Sequence, residues 1–135
     1  MGRLAIILSG AALASCANTP LPEHTAQTAW VDMFTHSGRL VMAERLDGQK
    51  TTDGRYFQLT PGSHELIVRF DYEMVAGLLT REPIERTCYI TLRYDGFKAG
   101  ERYRLEGRAI STQASARLFD AQRQIVAEDR DIRCI

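Results

Sequence analysis

From residue 30 onward the chain is dominated by a period of two. Leu66, Val68, Phe70 and Tyr72 alternate with Ile67, Arg69 and Asp71. Cys88, Ile90, Leu92 and Tyr94 alternate with Tyr89, Thr91 and Arg93. Tyr103, Leu105, Gly107 and Ala109 alternate with Arg102, Arg104, Glu106 and Arg108. Each run places one apolar face inward and one polar face outward, as half-buried antiparallel strands do. Shorter runs predict further strands at Trp30–Phe34, Arg39–Leu46, Arg55–Leu59, Ala116–Phe119 and Gln124–Ile132. Turn residues separate them: Asp47-Gly48, Pro61-Gly62, Asp95-Gly96 and Ala99-Gly100. No segment has a convincing helical period, and no repeat is present. The pattern predicts an all-β domain, a single antiparallel β-sandwich of about seven strands.

One stretch interrupts the alternation. Glu73–Arg86 lies between two clear strands and contains Met74, Val75, Leu78 and Leu79. It reads as a long connection whose apolar residues cap the open end of the sandwich. The sharper alternative is an exposed apolar loop, with Met74, Leu78 and Leu79 touching a partner or lipid.

The amino terminus has a different pattern. Arg3 precedes a hydrophobic run from Leu4 to Ala14. A bilayer span takes about 20 residues, so this run has the length of a signal-peptide core. Leu13-Ala14-Ser15-Cys16 resembles the bacterial lipobox: an aliphatic residue, two small residues, then cysteine. The resemblance implies cleavage before Cys16, acylation of its thiol (palmitate or a similar chain) and anchoring in a membrane. Each buried methylene contributes about 0.8 kcal/mol, and more than one chain makes the anchor stable. Ala17 follows the cysteine where the pattern for inner-membrane retention has Asp, which implies an outer-membrane lipoprotein facing the periplasm. Residues 17–28 contain two prolines and small polar residues, a linker composition. Fully extended, they reach roughly 40 Å. The expected organisation is a signal peptide at 1–15, a lipidated flexible tether at 16–28 and the domain at 29–135.

A second resemblance lies in the middle of the chain. Residues 59–68 have the form L-x-P-G-x-H-x-L-x-V and follow the Asp47-Gly48 turn; residues 99–105 have the form A-G-x-x-Y-x-L. Over residues 40–110 this resembles PEGA-like domains, small Ig-like β-sandwiches of bacterial envelope proteins. It implies architecture and no activity. The charged segment Glu128-Asp129-Arg130-Asp131 departs from the alternation expected of a last strand.

Composition narrows the function. The chain has 17 basic and 17 acidic residues. Arg3 is the only charged residue before Cys16, so the remainder is close to neutral. This excludes an electrostatic nucleic-acid binder. Of the cysteines, Cys16 is taken by lipid. An oxidising envelope then favours a disulfide between Cys88 and Cys134, against the alternative of two separate thiols. His24, His36 and His64 read as solvated or turn-stabilising residues. No G-x-S-x-G, H-E-x-x-H or phosphate loop occurs. No catalytic residue, metal ligand or cofactor is therefore assigned. Arg102, Arg104 and Arg108 share one strand face, either as an ordinary ion-paired surface or as a patch for an anionic glycan or acidic envelope protein. The expected role is non-enzymatic binding or support in the envelope. The alternative is an inhibitor or sensor module that docks on a periplasmic enzyme.

Overall fold

The computed structural model describes residues 19–75 and 82–135. Among these there is no helix. Nine strands follow in chain order: β1 Ala29–Phe34, β2 Leu40–Leu46, β3 Gln49–Lys50, β4 Tyr56–Leu59, β5 Gly62–Met74, β6 Ile84–Phe97, β7 Arg102–Ile110, β8 Gln113–Phe119 and β9 Ile125–Cys134. They form one mixed sheet, in the order β3-β2-β5-β6-β9-β8-β7-β1-β4, curled into a half-barrel.

The all-β expectation holds, and its details change. The count is nine strands where about seven were expected. The pairing is not purely antiparallel, because β1 runs parallel to β7. β3 is a two-residue strand formed because Asp47 (φ 49°) and Gly48 (φ 80°) make a two-residue hairpin turn. A type I′ turn of this kind needs positive φ at both positions, and its twist matches that of the strands. Asp47 also secures the next turn. Its Oδ1 accepts the Glu65 N–H at 2.8 Å, while Oδ2 meets His64 Nδ1; His64 Nε2 donates to the Thr60 carbonyl at 2.7 Å. His64 is thus a turn-stabilising residue.

Asp95-Gly96 is not a turn. It lies inside β6, where the register shifts opposite Gly62 and His64. The extra residue makes a β-bulge, and glycine suits it: a Cβ on Gly96 would meet the Tyr94 hydroxyl at 2.9 Å. Glu73–Arg86 is also less of a loop than its composition implies. Met74 pairs with Ile84, and the β5–β6 ladder runs past the last partners of both neighbouring strands.

The alternating apolar faces meet inside the curl. Phe70 and Tyr72 on β5, Ile90 and Leu92 on β6, and Leu105 and Leu118 on β7 and β8 are among the fully buried side chains. Phe70 approaches the backbone of β7 so closely that a Cβ on Gly107 would lie 3.0 Å from its ring and 3.3 Å from Val41. The Tyr72 hydroxyl donates to the Thr112 carbonyl at 2.8 Å, which links β5 to the β7–β8 turn. β9 pairs with β6 on one side and β8 on the other, so it joins the two halves of the curl.

The segment before β1 packs against the domain. The Thr28 carbonyl accepts from Gly100 N–H at 2.9 Å and from His24 Nε2 at 2.9 Å, and Gln58 Nε2 donates to the Thr28 hydroxyl. Folded contacts therefore begin at His24, ahead of Ala29. The chain enters at the end of the curl that holds the β6–β7 connection, where Gly100 lies against Ala26 and Thr28.

Candidate binding surfaces

The arginine strip on β7 is largely engaged within its own sheet. In the parallel β1–β7 register Trp30 is opposite Arg102 and Asp32 opposite Arg104, so Arg102 reaches Asp32 diagonally. Arg102 donates to it through Nε at 2.7 Å and Nη2 at 2.9 Å, the bidentate geometry that suits a carboxylate. Trp30 Nε1 donates to the same carboxylate at 2.9 Å, and the indole stacks on Tyr56 at 4.3 Å. The Arg104 guanidinium sits 3.6 Å over the Phe34 ring, with Nε 3.2 Å from Glu106. Among the described residues Arg108 has no ion-pair partner. Two of the three cations are thus matched by their own neighbours, and the strip does not converge on one anion site.

The Arg102 guanidinium holds the Asp32 carboxyl below the usual carboxylate range, aided by Trp30 and opposed by partial burial. A depressed folded-state value means the contribution to stability is present above the ordinary carboxylate range. It is lost as the pH falls through the depressed value. The carboxylate is partly exposed, so the contribution is small after solvent screening. A carbon-detected NMR titration is expected to place the Asp32 midpoint below that of a free aspartate, and Arg102→Ser to raise it. An unchanged midpoint in the variant would rule out this cause.

The apolar segment divides. Met74 is half-buried, packs against the core, and lies 3.8 Å from Arg86 Nη1. It caps the interior and does not stand out as an exposed contact. Val75 and Ile84, at 65% and 51% exposure, are the solvent-facing residues beside it. Leu78 and Leu79 lie outside the described residues, as does Cys16. Cys88 and Cys134 are joined by a disulfide directly across the β6–β9 ladder.

A further surface combines residues that period-two reading leaves apart. The outer face of β2, β5, β6 and β9 forms a groove of about 760 Å³. Ile67, Tyr89 and Thr91 lie across its middle, with Glu44, Arg45 and Glu65 toward the β2 side and Arg130, Asp131 and Arg133 on the β9 side, so each side carries charges of both signs. Both walls contain a β-bulge. In β2 the register steps from Ala43↔Val68 to Arg45↔Ile67, so Glu44 is the extra residue. In β9 it steps from Thr91↔Asp131 to Leu92↔Asp129, so Arg130 is the extra residue. A bulge re-aims a side chain, and here each places a charged group at the groove. Among the described residues Glu44, Arg45, Glu65 and Arg130 make no ion pair within 4.0 Å, although Glu44 lies near enough to Arg69 to favour its charge, and Arg133 pairs with Asp131 at 3.3 Å.

The β2 bulge leaves a trace in the alternation. In β2, buried Val41 and Ala43 are odd-numbered but half-buried Leu46 is even, whereas in β9 both Val126 and Ala127 are half-buried before Cys134, because a further register step lies opposite Leu118 and Phe119. The change of phase in β2 marks one inserted residue.

The chain matches no protein-family model, no curated protein and no solved structure.

Proposed function

We propose that this protein is an exported bacterial lipoprotein, anchored through Cys16 in the outer membrane, whose β-domain binds another envelope component without catalysing a reaction. The groove over Tyr89 carries the binding role: it is a concavity of mixed polar and apolar lining on a paired four-strand platform, with Glu44, Arg45, Glu65 and Arg130 outside any ion pair among the described residues. Pre-set side chains on a rigid sheet lose little entropy when a partner docks. The Cys88–Cys134 disulfide supports an oxidising compartment, in keeping with the leader and lipobox. At finer grain, the close approach of Phe70 on β5 to Gly107 on β7 supports reading the curl as a variant of the two-layer, PEGA-like sandwich.

Two measurements test this reading. Cys16→Ser should move the protein from the membrane to the soluble periplasmic fraction and abolish fatty-acid labelling. A variant that stays membrane-bound, or a wild type that takes no label, overturns the anchor. A photo-crosslinking residue at position 89 should capture one defined envelope component in intact cells, and one at position 115 should not. Equal capture at both positions, or none at 89, overturns the contact face. Capture of a soluble periplasmic enzyme would favour the inhibitor or sensor role instead.

A further inference from the structure

The sheet does not close on itself. Its terminal strands are β3 and β4, and between them lies a cleft of about 480 Å³. Leu46, Gln49 and Lys50 line one side, and Tyr56, Phe57 and Gln58 the other. The chain shuts one end of it, where Ala43 N–H donates to the Gly54 carbonyl at 2.8 Å.

The ladders fix which backbone groups of β4 face outward. Trp30 N–H donates to the Glu101 carbonyl at 3.1 Å, so Trp30 turns its backbone toward β7. Successive residues of a strand turn to opposite sides, so Ala29 and Val31 bond with their β4 partners Leu59 and Phe57. Tyr56 and Gln58 therefore present their N–H and C=O groups at the open edge. The chain caps the next positions on either side along that edge. The Gly54 carbonyl is taken by Ala43, and the Thr60 carbonyl by His64 at 2.7 Å. Among the described residues nothing bonds the backbone groups of Tyr56 and Gln58.

Open sheet edges are ordinarily blunted by charge, proline or irregularity. β3 has only two residues, one of them Lys50, and β2 beside it has the Glu44 bulge. β4 reads Tyr56-Phe57-Gln58-Leu59, with no charge, no proline and no register step.

We propose that β4 accepts an extended segment of a partner polypeptide as an added strand, paired with Gln58. Backbone pairing selects this occupant, because a polypeptide offers an N–H and a C=O together at strand spacing. In antiparallel pairing one residue of the partner accepts from Gln58 N–H and donates to its carbonyl. The next residue lies opposite Phe57 and turns its side chain inward beside Leu46. The cleft also carries Lys50, Thr51 and Thr52. With such a mixed lining the main chain supplies the affinity, and preference for side chains is broad. This surface is separate from the groove over Tyr89 and does not depend on it.

The test is a titration of the full-length protein with the N-acetylated, C-amidated pentapeptide threonyl-valyl-threonyl-valyl-threonine, followed by amide NMR. The expected result is saturable shifts and slowed hydrogen exchange at Gln58. The same peptide N-methylated at every residue should not bind. Gln58→Ala keeps the backbone donor and should bind as the wild type does. Gln58→Pro removes an N–H that the ladder does not use, at an edge position where proline is tolerated. It should melt close to Gln58→Ala and bind about three- to tenfold more weakly, the range for one lost hydrogen bond. Phe57→Pro, which removes an N–H bonded to β1, should by contrast lower the melting temperature. No saturable shift up to about 10 mM peptide, equal binding of the N-methylated peptide, or equal loss in Gln58→Ala and Gln58→Pro overturns the proposal. If Gln58→Pro does not fold, the two peptides on the wild type decide. A free protein that is already a dimer, with its Gln58 amide protected from exchange, would assign the edge to a second copy and likewise overturn it.

Discussion

Phe70→Ala will destabilise the domain by about 3–5 kcal/mol, the range for removing a buried aromatic ring. The ring has no solvent exposure. It stacks 5.2 Å from Tyr72 on one side and fills the space against Gly107 on the other. Collapse into the vacated volume is hindered, because Gly107 has no side chain to move and its backbone is fixed by ladder pairing to Ala116. The cost should therefore fall in the upper part of the range. Domains of this size have about 5–15 kcal/mol of stability in total, so the variant will be close to unfolded at the lower end. Equilibrium urea unfolding will show the midpoint falling with an unchanged slope. A loss below about 1 kcal/mol would mean that the two halves of the curl do not depend on this contact.

The positions of Phe70 and its neighbours could be read from the chain because alternation is a local property. Every predicted strand exists, and Leu66, Val68, Phe70 and Tyr72 face inward as their spacing requires. Sheet order is not local. Nothing in residues 29–34 or 102–110 signals that β1 lies parallel to β7, since that pairing depends on where the intervening strands carry the chain. Turn chemistry was informative at Asp47-Gly48, where two positive φ angles are needed. It misled at Asp95-Gly96, because the same residue pair also suits a bulge within a continuing strand. The arginines of β7 were correctly placed on an outer face. Their partners could not be foreseen, since Asp32 is 70 positions away from Arg102. The groove was the least legible feature. Its key residues, Glu44 and Arg130, are the ones at which the alternation fails, and a reading based on regularity passes over them.

Removing the Cys88–Cys134 bond will cost about 2–4 kcal/mol, and the loss will be concentrated in β9. The two cysteines are 46 positions apart. Loop-closure entropy for that separation gives about 4 kcal/mol, an upper figure because the unfolded chain keeps some structure. The local geometry explains how the bond is accommodated. Ile135 N–H donates to the Thr87 carbonyl at 2.9 Å, so the adjacent Cys88↔Cys134 pair is a non-hydrogen-bonded one. Facing side chains approach most closely at such pairs. β9 is also the strand shared by the two halves of the curl. Releasing its carboxyl-terminal end frees the outer part of the β6–β9 ladder, beginning with Arg133 opposite Tyr89. Hydrogen exchange should then quicken first at Ile132–Ile135 and next at Arg130, while Leu66 and Val68 in β5 remain protected until global unfolding. A Cys88→Ala/Cys134→Ala double variant and the reduced wild type should lose similar amounts of stability, which separates the crosslink from the packing of Cys88. If both remain within about 0.5 kcal/mol of the oxidised protein, the bond is not what holds β9 in place.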